Sequence, residues 1–308
     1  MNSNIAVPHS PKTRLSRDAR KKWKISFLAW GLLLPSFFFL SVFTLYPIFY
    51  SAYMSFFKDN LSTFRTGPVY IGFKNYIALF TSDPVFTKAF WNNLLIALVT
   101  IPTSIALAVC MAIFANRVKS GKGIVRISFF YPTLLPMVAV ANIWLFIYTP
   151  IYGLLGYINP SLRLLTNTQT AIWALTVMLI WKQAGYIMIF YISGLQSINP
   201  ELYEAARIDG ASGIQTFRRI TWPLLRPTTI YVTIITLTNA YKMVDHLYIM
   251  TKGGPDNATN MLLYYVFQKA FDQQNTGVAS AITVILIVIL LTITSVQFFV
   301  QDKRTFYS

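Results

Sequence analysis

The chain has 308 residues, 55% of them hydrophobic and 12% charged, with a mean hydropathy of +0.51, a balance that excludes an ordinary water-soluble domain. A net charge of +16 would suggest a nucleic-acid partner in a soluble protein. Here the basic residues gather in alternate loops between apolar runs, so they report membrane topology and contact with anionic lipid instead.

The first 24 residues form a polar, basic tail, expected to stay disordered or to lie on the lipid headgroups. Six long apolar runs follow, near 25–46, 92–114, 127–148, 170–192, 228–250 and 278–300. Each has roughly the 20 residues needed to cross hydrocarbon. The predicted fold is therefore all-α: a polytopic membrane protein with six transmembrane helices over 25–308 and a loop of interest at about 193–227. No cleavable signal is expected, because the first run is too long for a signal-peptide core. Prolines at 35, 47, 102, 132 and 136 fall in or beside the first three runs and predict kinks. Cys110, the single cysteine, can form no internal disulfide and is assigned to packing.

The tail, the loops 115–126 and 193–227 and the residues 301–308 hold seventeen of the 26 Lys and Arg, against seven in 51–90, 150–169 and 251–277. The positive-inside rule then places both termini and the 193–227 loop in the cytoplasm. On the other side, "YIGFKNYIALF" has apolar positions at helical spacing. "TKGGPDNAT", which opens the 251–277 loop, contains a Gly-Gly-Pro turn signal. The chain has no G-x-x-x-x-G-K-[ST] phosphate-cradling motif.

The 193–227 loop reads as two short helices around a corner. Asn199 is a cap for the first, Pro200 suits its first turn, and Glu201 and Glu204 lie toward the positive end of its dipole. Gly210 is placed to end it in a left-handed conformation. Ser212 can cap the second, "GIQTFRRI", which is expected to stop before Pro223.

"EAARIDGASGIQTFRRITWP" resembles the EAA signature of permease subunits of ATP-binding cassette importers. Glu204, Ala205, Ala206, Gly210, Ile220 and Pro223 match it, and Trp222 stands where the family usually has Leu. "LLLPSFFFLSVFTLYPIFYSAYMSFF", "GLQSINPELYEAARIDGAS" and "YIMTKGGPDNAT" extend the likeness over roughly residues 28–306, toward the carbohydrate-type type I importers such as the maltose and glycerol-phosphate systems. The resemblance implies partners: a second, different permease chain, two ATPase subunits and an extracytoplasmic substrate-binding protein, in a bacterial inner membrane. It also implies that Glu204, Ala205, Ala206, Asp209 and Gly210 dock into the ATPase and transmit closure to the spans. No cofactor is implied, and ATP hydrolysis would belong to the partner chain.

Charges inside spans are expensive and mark functional candidates. Lys182 is expected near the bilayer midplane, either paired with an acid or facing a polar cavity. Lys242 and Asp245 are three apart and can neutralise each other on one helix face. Trp181, Gln183 and Asn239 could add a stacking surface and hydrogen bonds for a hydroxyl-rich ligand. His246 has only the tail residue His9 as a companion, so no His-based site is expected. The predicted activity is passage of a sugar or a sugar or polyol derivative by alternating access, with glycerol phosphate or another anionic sugar derivative as the alternative. An ion-coupled secondary transporter would need coupling carboxylates, and Asp245 is the sole acid in the spans. A membrane-embedded enzyme would need a clustered catalytic set.

Overall fold

A computed structural model describes residues 12–118, 120–242 and 244–302. The expectations for His9 and for the basic residues Lys119, Lys303 and Arg304 lie outside these. The chain divides into two compact units, Met1–Tyr53 and Met54–Ser308.

The first unit is helical from within the basic tail. α1 (Lys12–Leu40) runs through a π-turn at Ser41–Leu45 into α2 (Tyr46–Met54). Lys22–Met54 is 33 residues long, and its most apolar stretch, of mean hydropathy 2.0, has none of its residues buried within the chain. That is more than enough length to cross hydrocarbon. Pro47 falls in the first turn of α2, just after this π-turn. A proline lacks its own N–H and crowds the carbonyl four residues back, here that of Phe43, which sits inside the widened turn. Tyr46 N–H bonds to Ser41 O across it.

The second unit opens with a small antiparallel hairpin, β1 (Phe57–Lys58) against β2 (Val69–Tyr70), with Phe57 opposite Tyr70. This corrects the all-helical expectation by two short strands. α3 (Lys74–Thr81) follows at the helically spaced segment. Next come α4 (Pro84–Arg117), α5 (Lys122–Leu134), α6 (Met137–Tyr148), α7 (Leu154–Ile158) and α8 (Ala171–Gln196). The corner loop contains α9 (Pro200–Ile208) and α10 (Gly213–Thr216), and a π-turn at Phe217–Thr221 leads through α11 (Trp222–Leu224) into α12 (Arg226–Lys242). The chain then forms α13 (Asp245–Met250), α14 (Leu262–Phe267), another π-turn at Gln268–Asp272, and α15 (Thr276–Asp302).

Among the described residues four helices are long and apolar enough to cross a membrane, Lys22–Met54, Pro84–Arg117, Ala171–Gln196 and Thr276–Gln297. The predicted third run is not one helix. α5 and α6 meet at 97°, because Pro136 cannot donate to the carbonyl of Pro132 and biases Leu135 toward extended backbone; Leu135 has φ −73° and ψ 135°. The predicted fifth run is also divided, with α12 ending at Lys242 and α13 beginning at Asp245.

Small residues let the spans approach. Ala108, Ala112 and Ala115 on α4 are fully buried, giving α8 and α12 a smooth face to pack on, as membrane helices without a water-driven force between them require. Cys110 lies on the exposed side of α4, so within this chain it does not serve packing. The buried residues form two clusters. One joins the C-terminal half of α8 to α4, α12 and α15; the other gathers Val140 and Ala141 of α6 and Leu247 and Met250 of α13 around Leu175 and Met178 of α8.

Candidate coupling loop and polar sites in the spans

The corner of the 193–227 loop is built by backbone satisfaction. Asn199 Oδ1 accepts the N–H of Glu201 at 3.0 Å, and Pro200 begins α9 where no N–H is needed. At the other end Gly210 has φ +71°, and its N–H bonds to Arg207 O while that of Ala211 bonds to Ala206 O. Those two bonds close a Schellman motif, which demands the left-handed residue. Ser212 and Gln215 then cap α10 reciprocally: Ser212 N donates to Gln215 Oε1 at 2.8 Å, and Gln215 N to Ser212 Oγ at 3.3 Å.

The second helix does not stop before Pro223. It passes through the proline because the π-turn places Arg219, whose carbonyl the ring would crowd, in a widened segment. Tyr203 Oη and Thr221 Oγ1, 3.2 Å apart, tie α9 to that turn. Of the residues singled out from the sequence, Ala206 is buried against the bundle, while Glu204, Ala205, Asp209 and Gly210 are exposed. Ile208 is 87% exposed and Ile214 80%, an apolar presentation that water alone does not explain.

Lys182 has no acid partner among the described residues. Its Nζ donates to Leu135 O at 2.8 Å and Pro132 O at 3.2 Å, the carbonyls left open where α5 ends. A cation at the C-terminus of a helix meets both unpaired carbonyls and the negative end of the dipole. Gly185 makes this reach possible: a Cβ there would stand 2.2 Å from Phe129 O, so only glycine allows α5 so close to α8.

The other candidates do not converge. Trp181 is 37% exposed and packs edge-on against Trp144, which in turn meets Tyr148, at centroid distances of 5.6 Å and 5.3 Å. Gln183 is buried with its Oε1 unpartnered, and Asn239 is half-buried. Lys242 and Asp245 are exposed, lie on separate helices and form no ion pair, which corrects the expected neutralisation on one face. Missed from the sequence were Thr100 and Ser104 of α4, and His246 of α13 was set aside; all three are fully buried, with Thr100 Oγ1, Ser104 Oγ and both His246 ring nitrogens lacking a partner among the described residues. Unsatisfied buried polar groups are rare enough to mark function; the four-residue spacing of Thr100 and Ser104 was the available signal.

Residues 104–306 match the family described as "Binding-protein-dependent transport system inner membrane component". The chain belongs to this family. It is 34% identical to the probable ABC transporter permease protein YurN of Bacillus subtilis, over 88% of this chain and 96% of that one. It is 32% identical to the sulfoquinovosyl glycerol transport system permease protein SmoG of Agrobacterium fabrum, over 87% and 88% of the two chains. A solved ABC transporter involved in import of the acidic polysaccharide alginate shares the fold, with a TM-score of 0.79 and 23% identity over 95% of this chain and 100% of that one. The protein is a permease subunit of an ATP-binding cassette importer, a transport component and not an enzyme, and works with other components of such a system.

The permease carries one further polar construction that the sequence did not announce. Asn92 Nδ2 donates to the carbonyls of Asn260 at 2.9 Å and Asn257 at 3.2 Å, and Asn93 Oδ1 accepts Leu262 N–H at 2.7 Å. Lys88 Nζ donates to Asp256 O at 2.5 Å. Asp83 caps α4 through Phe86 N–H at 3.0 Å, accepts from Tyr265 Oη at 2.7 Å and lies 3.7 Å from Lys269 Nζ. Burial, and then the Asp83 carboxylate, push the Tyr265 phenol well up from its ordinary value, so it remains a donor at physiological pH. These contacts pin the Gly-Gly-Pro loop to the start of α4.

Proposed function

We propose that this permease passes a sugar or a sugar or polyol derivative across a bacterial inner membrane, paired with a second, different permease chain. Two ATPase subunits and an extracytoplasmic binding protein complete the machine. Both termini and the 193–227 loop face the cytoplasm, and the chain crosses six times, with α5 and α6 forming one bent crossing and α12 and α13 another. The basic stretch 1–24 is the cytoplasmic tail, and 25–308 is the permease domain.

The observation that carries this reading is the corner: a capped helix, a Schellman glycine and a second capped helix, with Glu204, Ala205, Asp209 and two isoleucines turned outward. It suits insertion into a groove of the ATPase. Glu204→Lys and Gly210→Pro are expected to leave the protein inserted but abolish uptake and substrate-stimulated ATP hydrolysis together, the first by reversing charge in the contact and the second by forbidding the left-handed residue. Normal uptake by both variants would refute the docking role. For orientation, Asn257→Cys in a Cys110→Ser background is expected to react with impermeant thiol reagents in intact cells while Ser212→Cys does not.

For the substrate, relatives named for sulfoquinovosyl glycerol, starch degradation products and sn-glycerol-3-phosphate share hydroxyl-rich parts. Gln183, Thr100, Ser104 and His246 offer hydrogen-bonding capacity to such a ligand, with Trp181, Asn239, Lys242 and Asp245 as further path candidates. Lys182, the cation best placed to offset a negative group, is engaged with carbonyls. Ligand-dependent thermal shifts of the binding protein identify which sugar is carried.

A further inference from the structure

An open cleft of about 860 Å³ lies between the coupling corner and the end of α4. Arg117, in the last turn of α4, and Arg207, in the last turn of α9, both line it, and no carboxylate does. Neither guanidinium has a hydrogen-bond or ion-pair partner among the described residues; the two ion pairs found there, Lys88 with Asp256 and Lys269 with Asp83, are elsewhere. The hydroxyls of the cleft are engaged in part. Tyr203 pairs with Thr221, Thr216 donates to Ser212 O, and Ser212 accepts Gln215 N–H. What the lining leaves free is mainly donor capacity, from the two guanidiniums, the Asn116 side chain and the Ser212 O–H.

Two like charges held around one cleft without a counter-ion repel each other, and an anion placed between them removes that cost. Guanidinium groups match the oxygens of a phosphate in forked geometry. Arg117 closes the apolar helix Pro84–Arg117, at the level where headgroups lie, and Ile113, Leu195 and Phe217 supply apolar lining. Basic pockets between spans at that level suit anionic headgroups.

The geometry points to a phosphate-binding site in this cleft, formed by Arg117 and Arg207, which joins α9 to α4 when occupied and so stiffens the coupling corner. The phosphate is that of an anionic phospholipid or of a soluble phosphate compound. The effect on coupling rests on the docking role proposed above; binding itself does not.

The test uses the transporter purified with its partner chains in nanodiscs of phosphatidylcholine, with or without phosphatidylglycerol, beside native mass spectrometry of retained lipid. Phosphatidylglycerol is expected to raise substrate-stimulated ATP hydrolysis and to be retained on this chain. In Arg117→Gln/Arg207→Gln the stimulation disappears and retention weakens at least about tenfold. If inorganic phosphate added to phosphatidylcholine discs reproduces the stimulation in wild type and not in the variant, the site stands with a soluble occupant. Equal retention and equal hydrolysis in wild type and variant, with lipid or phosphate, would overturn the site. Loss of the ATPase from the double variant in both lipid mixtures would also overturn it, by making the arginines a protein contact. A wild-type chain that retains phosphatidylglycerol through these arginines but recruits no ATPase upholds the site and refutes the docking role instead.

Discussion

The coupling corner and the Gly-Gly-Pro loop solve the same problem, a sharp reversal of chain, with different degrees of outside support. The corner satisfies its backbone from within: Asn199, Gly210, Ser212 and Gln215 act on groups two to three residues away. The Gly-Gly-Pro loop has bonds of its own, among them Thr259 Oγ1 to Gly254 O at 2.7 Å, but it is also held from outside, by Asp83, Lys88, Asn92 and Asn93, residues some 165 to 182 positions earlier in the chain. A self-sufficient corner keeps its shape while its outer face stays open to another protein. A loop fixed by distant side chains has its place dictated by the bundle. The difference fits the docking role proposed above for the first, and gives the second the part of holding the frame around α4.

The yardstick for any change in either loop is Lys182, which belongs to neither. Lys182→Met strands two carbonyls at the α5 terminus, where each unsatisfied group costs several kcal/mol in hydrocarbon; the detergent-solubilised complex is expected to melt at markedly lower temperature, beyond the loss in any loop variant below. An unchanged melting temperature would mean the carbonyls find another donor.

Next in size is Asp83→Ala, which removes the cap of α4, the acceptor of Tyr265 and the partner of Lys269 in one step, for about 2–4 kcal/mol of lost stability. Asn93→Leu leaves the buried N–H of Leu262 without an acceptor, at about 1–3 kcal/mol. Both losses should appear in melting and in proteolysis of the 251–275 segment. If either left that segment as protected as in wild type, the frame role would fail. Ser212→Ala is expected to cost only about 1 kcal/mol and to show a larger proportional loss in coupled ATP hydrolysis than in melting. The reverse ratio would erase the contrast between the two loops. Lys88→Ala is the mildest, within about 1 kcal/mol for an exposed pair.

The contrast also explains what could be read in advance. Caps and the left-handed glycine act over a few residues, so the order Asn199-Pro200, Gly210, Ser212 announced the corner and the family signature fell on it. Pro136 announced a disturbance in the third run. The role of Lys182 was hidden, because it depends on Gly185 bringing α5 against α8, a relation between segments about fifty residues apart. For the same reason Asn92 and Asn93 were not singled out, since their partners lie 165 to 169 residues away. Lys242 and Asp245 misled because three-residue spacing implies a shared face only on an unbroken helix, and theirs is broken between them.

The π-turns have a bearing on which way the spans face. An α-helix advances about 100° per residue, and a π-turn takes in one residue more than the regular turn it replaces. The one at Phe217–Thr221 therefore resets the angular phase between the coupling corner and α12, whose Val232, Thr236 and Ala240 face inward. Take one residue out of that turn and the corner would still be capped and α12 still apolar, but one would point about 100° away from where the other needs it. The alignment of lever and gate thus hangs on a count of residues, and a deletion there is expected to uncouple the permease without altering a single side chain that touches a partner.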